Sequence, residues 1–189
     1  IFEILLRARC HKFLLVSDIQ AAFLNIRVKE KDRNFLRFLW IDDIVIKRFV
    51  SILFGLNCYP FLMSATVQNH MQKYLNLYKD TILQFLSDLY MDDSITGKTT
   101  EEEAFNFYLT CKTLLKEGCF NLRKWLSNSK FLQDKIAEYE SNYFGETVNF
   151  TEDDQKILGV QWALKSDELV FNISNLIDDY KNVTPVTKR

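Results

Sequence analysis

Apolar blocks alternate with polar stretches along this chain, and the spacing of the apolar positions changes from block to block. Lys12-Phe13-Leu14-Leu15-Val16-Ser17-Asp18 is a short continuous run that ends in an acid. It predicts a buried strand with a carboxylate at its C-terminal end, followed by a tight or helical turn over 19–25. The β-rich runs 35–40 and 44–49, separated by Ile41-Asp42-Asp43, predict a hairpin from which Arg37, Lys47 and Arg48 project. Pro60 predicts a helix start, because a proline in the first turn lacks only an N–H that would have no partner there. Phe61, Ala65, Gln68, Met71, Leu75 and Tyr78 continue as one stripe at spacings of three or four.

Residues 81–90 and 94–97 predict two strands around Met91-Asp92-Asp93. Thr100 with Glu103 predicts a capping box. Ala104, Tyr108, Cys111 and Leu115 form the buried stripe of the helix it opens, with Gly118 as its terminator. Residues 120–125 alternate as a strand. A helix over 130–139, an acidic loop and a second hairpin (156–164 with 168–173) follow, and the tail from 175 is weakly patterned. From 12 to 125 the order is β, hairpin, α, β, β, α, β. That predicts an α+β fold, a ferredoxin-like split βαβ with a hairpin inserted after the first strand.

Length and composition narrow the classes. With 189 residues, the chain holds one domain with a real core and not two full ones. Five glycines and two prolines are too few for a disordered or low-complexity chain. No apolar run approaches the ~18–20 residues of a membrane span. The chain begins at Ile1, and Glu3, Arg7 and Arg9 follow within nine residues, which is neither a start nor a secretion signal. The expectation is a piece of a longer reading frame, cytoplasmic or alternatively nuclear, and not secreted. The four cysteines form no C-x-x-C, and neither histidine sits at zinc spacing from them, so free thiols are expected. The net charge of −1 conceals alternation: 1–60 and 111–135 each carry four excess positive charges, 61–110 four negative and 136–189 five. Solvated faces account for this, and so does a polyanion track beside an acidic site.

Three acids stand where polar residues are costly. Asp18 ends an apolar strand, and Asp92 and Asp93 tip an apolar hairpin. In a split βαβ sheet these strands are central neighbours, so the acids converge at one edge. Clustered carboxylates repel until a proton or a cation neutralises them. Oxygen ligands without His or Cys favour Mg²⁺ or Mn²⁺ over zinc, and a pair of such ions suits phosphoryl transfer. A plain turn also explains an Asp-Asp pair, as it does for Asp42-Asp43, Asp153-Asp154 and Asp178-Asp179. Asp92-Asp93 differs in having an apolar strand on each side and a partner acid at Asp18.

These residues resemble a known family. Asp18-Ile19-Gln20-Ala21-Ala22-Phe23 resembles the first catalytic motif of reverse transcriptases, and Tyr90-Met91-Asp92-Asp93 resembles their YxDD box. Phe54-Gly55-Leu56 with Pro60-Phe61 is similar to the motif between them. Gly118-Cys119-Phe120-Asn121-Leu122-Arg123-Lys124-Trp125 is similar to the fourth, and Leu158-Gly159-Val160-Gln161-Trp162 to the primer-grip segment. The wording around them looks most like the BEL/Pao class of LTR retrotransposons, over nearly all of 12–172.

The resemblance implies a reverse-transcriptase palm with part of the fingers, from a Pol polyprotein. The domain would run 1–174, with partial fingers 27–56, palm 12–26 and 57–174, and a polar insertion at about 127–155. The tail 175–189 would begin a thumb or connection. The implied activity is RNA-directed DNA polymerase, a transfer of dNTPs to a primer 3′-OH that depends on two Mg²⁺ ions, with Mn²⁺ as an alternative. Asp18 and Asp92 would bind both metals, Asp93 would complete the acidic site, and the Ile19 carbonyl would add a ligand. Phe23 would lie beneath the incoming sugar; it is otherwise a core aromatic. Tyr90 and Met91 would touch primer end and nucleotide, and Gly55 through Pro60 would line the nucleotide and template side. Lys124 would protonate the leaving pyrophosphate, or be a solvated strand lysine. Leu158 and Gly159 would help hold the primer, or form a plain hairpin. Implied partners are an RNA or DNA template-primer, dNTPs and the remaining Pol domains (fingers, thumb, RNase H, integrase), with no membrane.

The sequence departs from the family where Phe54 precedes Gly55, and where Cys58 and bulky Tyr59 replace small residues before Pro60. No RNase H, protease or integrase signature appears. The rival expectation is a decayed or host-adopted remnant that folds, and at most binds nucleic acid.

Overall fold

The computed structural model describes residues 1–41, 44–145, 148, 155–164 and 166–171. In chain order the elements begin with α1 (Phe2–Arg9), β1 (Phe13–Ile19), β2 (Arg37–Trp40) and β3 (Val45–Arg48). Then come α2 (Tyr59–Met71), α3 (Leu75–Asp88), β4 (Leu89–Tyr90), β5 (Asp93–Lys98) and α4 (Glu101–Glu117). The last are β6 (Leu122–Ser127), α5 (Lys130–Tyr139), β7 (Gln155–Ile157), β8 (Val160–Ala163) and β9 (Glu168–Val170). The fold is mixed α+β with antiparallel sheets. Among the described residues no helix is long and apolar enough to cross a membrane.

The chain forms two compact units, Ile1–Asn149 and Phe150–Arg189. The first is built on a four-stranded sheet in the order β4-β5-β1-β6. β1 is central, and Leu14, Leu15, Val16 and Ser17 are all buried in succession. Its continuous apolar run therefore matches a strand covered on both faces. α3 and α4 pack on one another and on this sheet, and α1 lies on β5. Gly97 of β5 makes the α1 contact close: a Cβ there would stand 2.5 Å from the Ala8 carbonyl oxygen and 2.8 Å from the His11 side chain. α4 starts as expected, with the Thr100 and Glu103 side chains each bonding the other's free N–H. It ends at Gly118, although the left-handed residue there is Cys119 (φ +61°).

Several sequence expectations are corrected. Residues 81–88 are helical, and only Leu89–Tyr90 is strand. Ile82, Phe85 and Asp88 turn inward at three-residue spacing, and the Phe85 ring meets Phe107 of α4 at 6.5 Å. Short apolar runs fit strand and buried helix alike, and packing on α4 decides this one. The helix opened at Pro60 is not continuous to 78. A 3₁₀ turn at Gln72–Tyr74 separates α2 from α3, and Tyr78 is non-helical (φ −133°, ψ 40°). The final strand of the sheet begins at Leu122 rather than 120. The stretch 2–9, for which no element is predicted from the sequence, is a helix with Ile4, Leu5 and Ala8 buried.

β2 and β3 form the expected hairpin, and it is almost wholly exposed. Arg27 and Ser51 bridge at its base. Asp42 and Asp43 lie outside the described residues. α5 spans the expected 130–139 and packs against α4 and β6, with Leu132 and Ile136 buried. The front of the segment read as an insertion is thus core. A buried ion pair holds it: Lys112 Nζ stands 3.0 Å from Glu140, and their side chains are 1% and 0% exposed. Lys112 also donates to the Leu122 carbonyl (2.7 Å), and Tyr108 donates to Glu140 (3.0 Å). Asp153 and Asp154 lie outside the described residues.

The second unit holds the sheet β7-β8-β9. The run 156–164 is not one strand: Leu158 and Gly159 adopt left-handed backbone (φ +49° and +85°) and reverse the chain. β8 and β9 then pair as expected, and Trp162 Nε1 donates to Asp167 (2.9 Å). The tail from 175, with Asp178-Asp179, lies outside the described residues.

Candidate active site

Asp18 is the penultimate residue of β1 and Asp93 the first of β5, and the two are direct antiparallel partners. β4 and β5 are joined by the two-residue loop Met91-Asp92, with Tyr90 paired to Asp93. Met91 takes a left-handed backbone (φ +56°), a conformation that costs a non-glycine residue ~1–2 kcal/mol. The Ile19 N–H donates to the Asp92 carbonyl (2.7 Å), which ties the hairpin tip to the end of β1. Strand register thus brings together Asp18, Ile19, Tyr90, Met91, Asp92 and Asp93.

β6 supplies the opposite charge. Its pairing with β1 slips between Val16 and Asp18, where Leu126 faces Val16 but Arg123 faces Asp18. The extra residue makes a bulge, and Lys124 within it has φ +52°. Consecutive residues of a flat strand would point to opposite faces. Here both reach one carboxylate: Arg123 Nε donates to Asp18 Oδ1 (3.2 Å) and Lys124 Nζ to Oδ2 (2.7 Å). Asp18 is 18% exposed, so these ion pairs are only partly solvated. Nothing in the sequence marks Arg123 as a site residue, because a bulge has no composition of its own.

The acids repel one another. The Asp93 carboxyl is pushed above its ordinary value by burial first, then by the charges of Asp92 and Asp18, with Lys124 opposing. A divalent cation would relieve that strain, and the donors are all oxygen. Asp18, Asp92 and Asp93 therefore fit Mg²⁺ or Mn²⁺ chemically. They do not form a closed cage: among the described residues no three His, Cys, Asp or Glu side chains are gathered as a metal group.

The first turn of α2 lies near the acids, close enough for the charge of Asp92 to act on Tyr59. Gly55 (φ +90°) adopts a backbone that side chains rarely take, and Pro60 occupies the first turn of α2 as expected. Tyr59 beside it is a residue that the sequence marked only as bulky. Its ring centroid lies 3.6 Å from that of Phe23, and Phe54 lies 4.4 Å from Phe23 on edge. Phe23 is 3% and Tyr59 6% exposed. Phe23, expected to meet a sugar, is thus covered by its neighbours, Tyr59 among them. The Tyr59 hydroxyl is itself buried without a hydrogen-bond partner. Burial, and then the charge of Asp92, push its phenol well above the usual tyrosine range, so it stays protonated.

Leu158 and Gly159 form the turn between β7 and β8, in the second unit. A groove lined by Ser64, Gln68, Leu86, Leu89 and Met91 lies beside the hairpin tip, between α2 and the end of α3. No protein-family model matches this chain, and no curated protein matches it.

Proposed function

We propose that the chain is the palm, with part of the fingers, of a reverse transcriptase resembling those of BEL/Pao-type retrotransposons. The observation that carries this reading is the register of β1 with β5. It sets Asp18 against Asp93 and ties Ile19 to Asp92 across neighbouring strands. The strand order β4-β5-β1-β6, with helices between β1 and β4 and between β5 and β6, supports it, being that of a split βαβ sheet. Fold alone decides no function, and the acids are what give this sheet a chemistry.

On this reading Asp18 and Asp92 hold two Mg²⁺ ions (Mn²⁺ is the alternative), with Asp93 and the Ile19 carbonyl beside them. The bound metals supply an activated primer 3′-hydroxyl and a stabilised pyrophosphate leaving group. Tyr90 and Met91, on the hairpin tip, meet the primer end and the nucleotide. The loop from Gly55 to Pro60 borders the nucleotide. Lys124 is a proton source for pyrophosphate, and Arg123 and Lys124 together hold Asp18 in place until the metals bind. Leu158 and Gly159 contact the primer. The partners are a template-primer, dNTPs and the other domains of a Pol polyprotein, in a cytoplasmic particle or the nucleus.

Primer extension tests this. A protein carrying this chain within a whole polymerase extends a primer with Mg²⁺ and dNTPs, and Asp18→Asn or Asp92→Asn abolishes extension. Extension that survives in the double variant refutes the site. The burial of Phe23 beside Tyr59 favours the second reading, a non-polymerising remnant that binds nucleic acid. Retention of a template-primer without extension, in the protein with all three acids intact, would select it.

A further inference from the structure

Tyr59 is a side chain next to the acid cluster, within reach of the charge of Asp92, to which the proposed function gives no chemistry of its own. It closes the site twice over. Its ring lies against Phe23 at 3.6 Å between centroids, closer than the ~4.5–7 Å usual for ring pairs, so no sugar fits between them. Its hydroxyl is buried and has no partner. A buried hydroxyl without a partner is destabilising, and a tyrosine in a settled core position generally has one. The closed position of this ring is therefore favoured by burial against Phe23 and Phe54, and disfavoured by the stranded donor. A nucleotide offers acceptor oxygens on its sugar and phosphates, which would pair that donor once the ring has moved.

We propose that Tyr59 is the gate of the nucleotide site: its ring lies against Phe23 and buries it, and its unpaired hydroxyl keeps the closed position shallow enough for a nucleoside triphosphate to open it. This rests on the polymerase reading of the acid cluster.

The test compares the parent protein with Tyr59→Phe and Tyr59→Ser, by equilibrium dialysis against labelled dGTP with Mg²⁺ and by thermal unfolding. Tyr59→Phe keeps the ring and removes the stranded donor. It should melt higher than the parent and bind dGTP about tenfold more weakly, the penalty of one unpaired buried hydroxyl expressed as an equilibrium shift. Tyr59→Ser removes the ring and should bind dGTP about tenfold more tightly, although it melts lower. A purely structural tyrosine would move the melting temperature alone. Unchanged dGTP affinity in Tyr59→Phe, which keeps the packing, overturns the gate even where Tyr59→Ser fails to fold. Equal affinity in all three proteins, alongside primer extension that depends on Asp18, removes the gate and leaves the polymerase reading standing. No dGTP binding by any of them, together with no extension, overturns both.

Discussion

Replacing Lys112 with Met would leave Glu140 charged, fully buried and without its cation. The two side chains are 1% and 0% exposed, and Lys112 Nζ lies 3.0 Å from the Glu140 carboxylate and 2.7 Å from the Leu122 carbonyl oxygen. Removing one partner of such a pair costs about 3–5 kcal/mol, because the other charge stays buried. Domains are stable by about 5–15 kcal/mol in total, so the loss is severe. At roughly 2–4 °C per kcal/mol for a chain of this size, the melting temperature should fall by roughly 6–20 °C. Glu140→Gln should cost less than Lys112→Met, since it keeps a partner for Tyr108. The double variant Lys112→Met with Glu140→Leu should recover most of the loss, because a well-packed apolar pair often matches a buried ion pair. Urea unfolding followed by fluorescence reads this locally, since buried Trp125 packs edge-on against Tyr108 at 4.8 Å. The consequence reaches the site: the residue after Leu122 is Arg123, on Asp18. A loss below 1 kcal/mol for Lys112→Met, or a double variant no better than the single one, would refute this account of how α4, α5 and β6 are joined.

Asp93→Asn should stabilise the protein at neutral pH. A carboxyl whose pKa is raised by folding opposes folding when ionised, and that penalty disappears as pH falls from the raised value to the ordinary carboxylate value. Thermal unfolding of both proteins should show the gain near pH 7 and none in acid; a gain that grows toward acid would contradict the sign. Thr100→Ala removes half of the capping box and should cost about 0.5–2 kcal/mol in urea unfolding, against no change if α4 is held by packing alone. Gly97→Ala would drive a Cβ against the Ala8 carbonyl. It should cost about 1–3 kcal/mol and raise amide exchange in α1, and wild-type exchange there would deny that α1 docks on β5.

The convergence of the acids at one end of the sheet was legible because it depends on local signals. An apolar run ending at Asp18 and a hairpin tipped by Met91-Asp92 each announce themselves, and strand order then makes them neighbours. The capping box at Thr100 and the span of α5 were legible for the same reason. What escaped depends on contacts between distant residues. Residues 81–88 are helical because Phe85 packs on α4, which no period in ten residues reveals. Glu140 meets Lys112 from 28 positions away, so its segment looked like a polar loop. Arg123 joins Asp18 through a bulge, and Tyr59 covers Phe23 through the fold of the loop before α2. Ile4, Leu5 and Ala8 stand at helical spacing, a local signal of α1.

Binding of Mn²⁺ followed by electron paramagnetic resonance tests the acid cluster most directly, because it needs neither primer nor turnover. The account predicts saturable binding to the parent protein that is lost in Asp18→Asn and in Asp92→Asn, while both variants still unfold cooperatively. Mn²⁺ binding that is equal in the parent and in the Asp18→Asn, Asp92→Asn double variant would contradict it.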